Sequence, residues 1–369
     1  MRFLLLPLGL LFWMTASGQP LRDSVAIQDL LQAEAARGLR KGEGSALAVG
    51  VVVAGQRFTH YAGTLTSGGA AVPTDANCFE IGSVTKTMLG YLAALAVEAG
   101  RLRLDDDVRP YLPAAYPNLT FGGEPVRIRH LLTHTSGLPA FLPLAYDGIY
   151  ETLLPDVPTR FRRAQEANGK EAFWRDLAAV ELSGEPGTQY RYSSAGTELL
   201  AYIMEQNGGE SLERQLQREL FDAAGMVGAG CGSDTAAVVR GYWMANDETS
   251  PLFHGALWGG SAGMTATLPD LLRFGAWQLQ DGPVVRRSHE ELYTANTRRI
   301  AYLWNVWGDA YGHSYNHHGG TSGTQNWLYV FADHDVVIAV ITNHSGPRTP
   351  GRLNTVVRRI ARRLIDTRR

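Results

Sequence analysis

Hydrophobic runs near both ends of the chain predict β-strands. Residues 46–54 form a valine-rich run and residues 57–61 follow a Gly-Gln turn, so the two segments are typical of a hairpin. Residues 327–331 and 336–342 repeat this arrangement around the sequence Ala-Asp-His-Asp, which is typical of a second hairpin. Because strand patterns stand at both ends, we expect one sheet to be built from the two ends together.

Helical periodicity dominates most of the remaining pattern. Residues 83–100 are apolar on nearly every face, which predicts a buried helix that ends at Gly100. Apolar residues at helical spacing predict four more helices, at 23–38, 176–182, 197–206 and 353–365. This order predicts an α/β (α+β) sheet domain from residues 19–75 and 255–369, with residues 76–254 inserted as a mainly helical domain.

The first 18 residues predict an export signal. A positive start at Arg2 precedes an almost wholly apolar run over 3–14, and the small residues 16–18 favour cleavage before Gln19. The alternative is an uncleaved anchor, although the run is shorter than the ~20 residues that a spanning helix needs. We therefore expect an exported protein, periplasmic or secreted, whose mature chain does not insert into the membrane.

Composition narrows the function further. Of 369 residues, 45% are hydrophobic and 19% are charged, which predicts a large folded core. The net charge of −2 gives no basic surplus for binding nucleic acid. Cys78 and Cys231 are far apart in the sequence, so either a disulfide or two separate buried thiols is compatible with an exported chain.

Lysine is rare in this chain, and Lys86 is a candidate general base. Only three of the 34 basic residues are lysines, and Lys86 follows Ser83 by three positions at the start of the predicted buried helix. Residues three apart share a helix face, and a serine hydroxyl attacks a carbonyl only when a base removes its proton. Burial and the helix N-terminus both lower the pKa of an amine, which would make Lys86 such a base. The alternative is a Ser83 helix cap followed by a solvated lysine.

Two further segments contain candidate residues. Tyr192 lies between a Gly-rich loop and the helix predicted at 197–206, where a fixed tyrosine can transfer a proton; the alternative is plain aromatic packing. His317 precedes Gly319 and Gly320 just before a predicted strand. The glycines would let a substrate backbone approach closely, and the histidine would bind a carboxylate or carry a proton. The alternative there is a flexible turn with surface histidines.

Histidine spacing also raises a metal-dependent alternative. His130 and His134 are four apart, and His313 lies close to His317 and His318. No acidic residue is placed as in the His-Glu-x-x-His motif, so structural histidines are the favoured interpretation. We predict no metal and no cofactor.

Together these motifs resemble those of class C β-lactamases and D-alanyl-D-alanine carboxypeptidases. The resemblance rests on Ser83-x-x-Lys86, Tyr192-Ser193-Ser194 and His317-His318-Gly319, in that order along the chain. The segments 100–108, 127–139 and 259–264 also resemble the family, so the likeness extends over nearly all of 46–364.

The resemblance implies an acyl-enzyme mechanism on an antiparallel sheet flanked by helices, with the site in the cleft beside the helical domain. Ser83 would be acylated, Lys86 and Tyr192 would share the proton transfers, and water would release the acyl group. The N–H groups of Ser83 and Gly320 would form the oxyanion hole, and His317 would occupy the place that is lysine in β-lactamases. We expect a monomer that acts on a small-molecule or peptide substrate.

Two departures from the family pattern keep the substrate open. Ser194 stands where the family usually has asparagine, which weakens the case for penicillin-like amide recognition. His317-x-Gly319 resembles the carboxypeptidase and D-aminopeptidase branches more than true β-lactamases. The candidate substrates are therefore a D-amino-acid peptide, a β-lactam or a small ester. The alternatives are an esterase of the same fold and a non-catalytic penicillin-binding sensor.

Overall fold

The structure, a computed structural model, describes residues 23–39, 46–230, 238–244, 257, 259–309 and 311–365. The predicted export signal and Cys231 lie outside these residues, so cleavage at Gln19 and the disulfide stay predictions. Cys78 Sγ donates a hydrogen bond to the carbonyl oxygen of Gly228 at 3.6 Å. Within the described chain, no helix is both long enough and apolar enough to cross a membrane.

The strands of this part of the chain, in order, are β1 (Ala46–Val53), β2 (Gln56–Gly63), β3 (Cys78–Glu80), β4 (Thr120–Phe121), β5 (Glu124–Pro125), β6 (Tyr242–Trp243), β7 (Thr265–Thr267), β8 (Tyr293–Ala295), β9 (Arg298–Ile300), β10 (Asn305–Asp309), β11 (Gly312–Gly320), β12 (Gln325–Phe331), β13 (Val336–Thr342) and β14 (His344–Ser345). The α-helices are α1 (Ser24–Gly38), α2 (Thr85–Glu98), α3 (Ile128–Leu132), α4 (Val157–Ala167), α5 (Lys170–Ala179), α6 (Ser194–Gly208), α7 (Leu212–Leu216), α8 (Asp222–Ala224), α9 (Leu268–Trp277), α10 (Pro283–Ser288) and α11 (Thr349–Leu364).

One eight-stranded sheet joins the two ends of the chain, in the order β2-β1-β13-β12-β11-β10-β9-β8. Neighbouring strands are antiparallel throughout, and β1 pairs with β13 so that Val49 lies opposite Val340. The predicted antiparallel sheet flanked by helices is therefore confirmed. The division of the chain at residues 75 and 255 stays a prediction.

Strand β1 is buried on both faces, which explains its continuous apolar run. Leu47, Val49 and Val51 pack with α1 and α11, whereas Ala48 packs into the core on the opposite face, which also contains α9. A side chain at Gly50 would lie 2.6 Å from Leu272 Cδ1, so glycine allows α9 to approach the sheet closely. The N-terminal hairpin is thus held between two helical layers.

Several predicted helix boundaries were wrong. The helix expected at 353–365 is α11, which begins four residues earlier, at Thr349, with a proline in its first turn. The helix expected at 176–182 is α5, which begins six residues earlier because Phe173 and Leu177 form its buried face and Val180 is already extended. The helix expected at 197–206 begins at Ser194, because the Ser193 side chain accepts a hydrogen bond from Gly196 N and caps the helix there. The helix expected at 83–100 starts with a 3-10 turn, Gly82–Val84, before α2.

Candidate active site

Ser83 lies on the 3-10 turn between β3 and α2, and several hydrogen bonds hold this turn in place. Ile81 N donates to Met264 O at 3.1 Å, and its carbonyl oxygen accepts from Asn326 Nδ2 at 3.1 Å. Thr321, at the end of β11, donates to the buried Glu80 carboxylate at 2.9 Å. The turn that carries Ser83 is therefore tied directly to the central strands β11 and β12.

Glycines allow β11 to lie against this turn. A side chain on Gly319 would meet Ile81 O at 2.0 Å, and one on Gly82 would meet Gly320 N at 2.7 Å. Gly82 also has a φ of 51°, a backbone region that other residues seldom adopt. The close approach brings the backbone of Gly320 beside the residue that precedes Ser83.

The start of α6 supplies the next two candidate residues. Ser193 caps the helix and also donates to Pro139 O at 2.6 Å, which fixes the backbone on either side of it. Tyr192 lies directly before this cap, and its hydroxyl donates to Ser83 Oγ at 2.8 Å. Ser194 occupies the first helical position and is only 4% exposed.

The Lys86 amine is completely buried and, among the described residues, contacts three oxygen atoms. Lys86 Nζ lies 3.2 Å from Ser83 Oγ, 3.3 Å from Ser194 Oγ and 2.7 Å from the carbonyl oxygen of Ser261. A neutral amine has two N–H donors and one lone pair. Donation to the Ser261 and Ser194 oxygens leaves the lone pair for the Ser83 hydroxyl proton.

Desolvation sets the protonation of both groups that contact Ser83. Desolvation lowers the pKa of Lys86 to about 7, against the opposing charge of Glu198, so a substantial fraction of the amine is neutral at pH 7. Desolvation raises the pKa of Tyr192 above that of a free phenol, so its hydroxyl stays protonated and donates to Ser83. Ser83 Oγ therefore accepts from Tyr192 and can release its own proton to Lys86.

His317 and His318 of β11 are neutral and differ in position. His317 is 4% exposed, its Nδ1–H donates to His318 O at 2.8 Å, and its ring lies 6.4 Å from that of Tyr192. His318 faces the cleft and donates to Gln325 Oε1 at 2.6 Å. Burial lowers the pKa of His317 to about 3 and that of His318 to about 4. The sequence argument favoured His317 for substrate contact and missed His318, which lines the cleft.

His134 is a second residue that the motifs alone did not include. Its ring lies 4.4 Å from that of Tyr192, and its Nδ1 accepts a hydrogen bond from Ser193 N at 3.2 Å. Burial, followed by the charge of Lys86, holds the pKa of His134 well below its ordinary value. His134 thus packs beneath Tyr192 as a neutral imidazole. The sequence marked it only by its spacing from His130 and by its place in the family-like segment 127–139.

Ser261 and Glu198 were also missed. Ser261 contributes a backbone carbonyl, which no side-chain motif records, although it lies in the family-like segment 259–264. Glu198 accepts from Ser261 N at 2.8 Å and is 8% exposed. It is the only charged residue of α6 before Glu205, and a lone carboxylate in such a helix was the available indication.

The cleft above Ser83 has a volume of about 260 Å³ and a mainly apolar wall. Its lining includes Ser83, Tyr192, Ser194 and Gly320. Most of the remaining wall is apolar or aromatic, namely Phe141, Tyr150, Leu153, Trp243, Ala262, Pro347 and Pro350, and uncharged polar groups come from Ser261, His318, Thr321 and Gln325. Among the described residues that line the cleft, none is Lys, Arg, Asp or Glu.

His130 and His134, whose spacing suggested a metal site, each accept a backbone hydrogen bond. His130 Nδ1 accepts from Arg127 N at 3.1 Å, and His134 Nδ1 accepts from Ser193 N. In the part of the chain that the structure describes, no group of three or more His, Cys, Asp or Glu side chains is arranged to hold a metal ion.

Two named relatives share parts of this sequence. The D-alanyl-D-alanine-carboxypeptidase/endopeptidase AmpH of Escherichia coli is 24% identical over 258 residues, which is 70% of this chain and 63% of that protein. The chain thus matches less than two thirds of the length of AmpH. Esterase EstB of Burkholderia gladioli is 33% identical over 153 residues, 41% of this chain and 38% of the esterase.

The fold and the family agree with these similarities. A crystal structure of a β-lactamase/D-alanine carboxypeptidase from Pseudomonas syringae superposes with a TM-score of 0.75 at 19% identity, covering 91% of this chain and 99% of the other. The family model described as Beta-lactamase matches residues 28–362, which includes every candidate residue described above. The chain therefore belongs to the β-lactamase family of hydrolases.

Proposed function

We propose that this chain is a serine hydrolase in which Ser83 forms an acyl-enzyme and Lys86 removes its proton. The observation that carries the proposal is the buried Lys86 amine, 3.2 Å from Ser83 Oγ, with a pKa lowered to about 7. A general base is most effective when its pKa lies near the working pH. The 2.8 Å hydrogen bond from Tyr192 to the same oxygen holds the hydroxyl in one orientation.

The reaction has two halves. In the first, Ser83 Oγ bonds to the substrate carbonyl carbon, and its proton passes to Lys86 Nζ. That proton then passes to the leaving amine or alcohol, with Tyr192 close enough to relay it, as the C–N or C–O bond breaks. In the second, water bonds to the acyl carbon, the ester to Ser83 breaks, and the serine oxygen regains a proton as the acid leaves.

The backbone N–H groups of Ser83 and Gly320 are the proposed oxyanion hole. The contact that a Gly82 side chain would make with Gly320 N, at 2.7 Å, supports this pairing because it reflects how close the two backbone segments are. Backbone donors fixed by a 3-10 turn and a sheet strand need no reorganisation when negative charge develops on the carbonyl oxygen.

The wall of the cleft favours an ester or amide with an uncharged, apolar acyl group. Phe141, Leu153 and Trp243 offer apolar surface, and the described lining residues carry no formal charge opposite a substrate carboxylate. The Ser194 hydroxyl lies 3.3 Å from the Lys86 amine, so it contacts the proposed base. A D-amino-acid peptide or a β-lactam is the alternative substrate, as the family resemblance implies.

A substrate panel tests this proposal. We expect p-nitrophenyl esters with short apolar acyl chains to be hydrolysed with a higher kcat/KM than D-Ala-D-Ala peptides, D-amino-acid amides or nitrocefin. Ser83→Ala should lower all of these rates by at least about a thousandfold. Undiminished turnover by Ser83→Ala would refute the mechanism. A protein that binds penicillin reversibly, without a covalent adduct at Ser83, would be the non-catalytic sensor instead.

Two neighbouring leucines test the apolar cleft without disturbing the core. Leu153 lines the cleft and is 39% exposed, whereas Leu154 is 49% exposed and does not line it. Leu153→Lys places a cation in the cleft and should shift the preference from apolar esters towards acyl groups that carry a carboxylate. Leu154→Lys is the matched control and should leave the preference unchanged; equal effects of the two variants would contradict the apolar assignment.

We propose that the enzyme acts outside the cytoplasm, in a periplasm or secreted. The apolar run at residues 3–14 and the small residues before Gln19 support this location. N-terminal sequencing of the exported protein should find Gln19 first. A protein that retains Met1 in the cytoplasm would contradict the proposal.

A further inference from the structure

Glu198 is a buried carboxylate that none of the three sequence motifs includes. It lies one helical turn after Ser194 on α6 and is 8% exposed. Its Oε1 accepts from Ser261 N at 2.8 Å, and its Oε2 accepts from Gly260 N at 3.4 Å. Both carboxylate oxygens are therefore directed at the backbone of the segment opposite Lys86.

That segment is pressed against α6. A side chain on Gly260 would lie 2.4 Å from Ala201 Cβ and 3.0 Å from Thr197 O. Glycine thus allows the backbone to come close enough for the Glu198 side chain to reach two successive N–H groups. A carboxylate in this position fixes the segment more firmly than a neutral acceptor, because hydrogen bonds to charged groups are the stronger ones.

The same segment holds the base. The carbonyl oxygen of Ser261 accepts from Lys86 Nζ at 2.7 Å, the shortest of the three contacts of the amine. A continuous chain of contacts therefore runs from the Glu198 carboxylate, through residue 261, to Lys86 Nζ and on to Ser83 Oγ. A shift of Ser261 would move the carbonyl that orients the amine.

Charges from several elements surround Glu198. Lys86 approaches from α2, and Lys170 of α5, Glu205 of α6 and Glu213 of α7 line the same cavity of about 320 Å³ as Glu198. The Lys170 amine lies over the Tyr202 ring at 5.7 Å. Burial raises the pKa of Glu198 to about 7, and the charge of Lys86 is among the effects that oppose this rise. The Glu198 charge in turn opposes the fall of the Lys86 pKa.

We propose that Glu198 is the positioning residue for Lys86: its carboxylate holds the Gly260–Ser261 backbone, and its negative charge favours the protonated amine. The inference rests on the proposed function, in which Lys86 acts as the base. Two consequences follow. Loss of the charge makes the amine neutral at lower pH, and withdrawal of the carboxylate from the backbone misplaces the Ser261 carbonyl.

Glu198→Gln separates charge from position. The amide oxygen still accepts from Ser261 N, and only the longer bond to Gly260 N is lost. The charge of Glu198 favours the protonated amine, so its loss should lower the Lys86 pKa and move the acid limb of kcat/KM about one pH unit lower. Glu205→Gln is the matched control, since Glu205 lies on the same helix and lines the same cavity, but accepts from Leu212 N instead. It should leave the limb in place.

The rarity of lysine allows a direct readout that does not need catalysis. Only Lys41, Lys86 and Lys170 are present, so ¹³Cε-labelled lysine gives three signals, assigned by Lys41→Arg and Lys170→Arg. The Lys86 signal should titrate about one pH unit lower in Glu198→Gln than in the parent protein. The same titration in a Ser83→Ala background keeps this test valid even if Ser83 is not the nucleophile.

Glu198→Asp tests the positional half. It keeps the charge but shortens the side chain by one methylene, so we expect kcat/KM to fall about tenfold while the acid limb stays near the parent value. An unchanged or upward-shifted Lys86 titration in Glu198→Gln, or equal shifts in Glu198→Gln and Glu205→Gln, would overturn the proposal. Full activity of Glu198→Asp with an unaltered acid limb would refute the claim that Glu198 positions the Gly260–Ser261 backbone.

Discussion

Two buried layers of this molecule have opposite chemistry. The terminal core, formed by Ile27, Leu31, Leu353, Val357 and Ile360 with one sheet face, is apolar, and each of these side chains is at most 1% exposed. The polar layer buries ionisable side chains beside Ser83, namely Lys86, His134, Glu198 and His317. The first layer removes apolar surface from water, which stabilises the fold.

The polar layer costs stability and, in the proposed mechanism, provides the chemistry. Burial moves the pKa of every one of its four groups towards the neutral form: Lys86, His134 and His317 fall, and Glu198 rises. A buried amine is costly to desolvate, yet only there does it become a base near neutral pH. We therefore expect substitutions in the terminal core to change mainly the stability, and substitutions in the polar layer to change mainly the rate.

Replacement of the buried amine should have the largest effect. Lys86→Met keeps the length and apolar stem but removes the base, so the acylation rate should fall by about a thousandfold or more. The thermal midpoint should stay the same or rise, because an apolar group replaces a desolvated amine. Acylation by a fluorophosphonate probe and a thermal melt measure the two effects.

The pH dependence of stability sharpens this test. The pKa of Lys86 is about 7 in the folded state and about 10.5 when unfolded, so the unfolded chain binds more protons between these values. The destabilisation caused by burying Lys86 is therefore complete below pH 7 and becomes smaller as the pH rises from 7 to 10.5. The advantage of Lys86→Met over the parent should be larger at pH 6 than at pH 10. Lys170→Met, at an exposed lysine whose amine lies over the Tyr202 ring, should leave the rate unchanged and should change the free energy of unfolding by no more than about 1 kcal/mol. A loss of stability in Lys86→Met at pH 6 would contradict the argument.

The terminal core should show the reverse behaviour. Ile360→Ala removes a fully buried side chain of α11 and should lower the free energy of unfolding by about 2–5 kcal/mol. The folded variant should keep the parent kcat/KM, because Ile360 packs in the terminal core and lies ten residues beyond Pro350, the residue of α11 that lines the cleft. Chemical denaturation measures the first effect and ester hydrolysis the second. Arg362→Ala, at an exposed position of the same helix, is the control; a selective loss of kcat/KM in folded Ile360→Ala would show that the layers are not separate.

The pH profile should contain an acid limb near pH 7, where Lys86 titrates together with the coupled Glu198 carboxylate. Activity should rise about tenfold per pH unit up to the Lys86 pKa of about 7 and then level off, since the amine must be neutral to act. His317 and His318, with pKa values of about 3 and 4, are neutral above pH 5 and should add no second limb. His317→Asn should therefore keep the limb near pH 7. Its disappearance in that variant would assign the titration to the imidazole.

The terminal core was predictable from the sequence, and the polar layer only in part. The helix at 353–365 and the strands at 336–342 and 46–54 follow from local periodicity, which needs no tertiary information. Ser83 and Lys86 were found because three positions within one helical turn fix their proximity. Glu198, by contrast, reaches a backbone N–H 63 positions later in the sequence, at Ser261, and no local pattern encodes that contact.

The sequence alone identified Ser194 as unusual, but only the structure shows what it contacts. Its substitution should have the smallest effect. The sequence marks it as a departure from the family asparagine, and the structure places its hydroxyl 3.3 Å from Lys86 Nζ, the longest of the three contacts of the amine. Ser194→Ala removes one hydrogen bond worth about 1 kcal/mol, so kcat/KM for an ester at pH 8 should fall about three- to tenfold. The acid limb should move slightly lower, because an acceptor that favours the protonated amine is lost. A fall of a hundredfold or more would mean that the Ser194 hydroxyl itself transfers a proton and does not merely accept a hydrogen bond from Lys86.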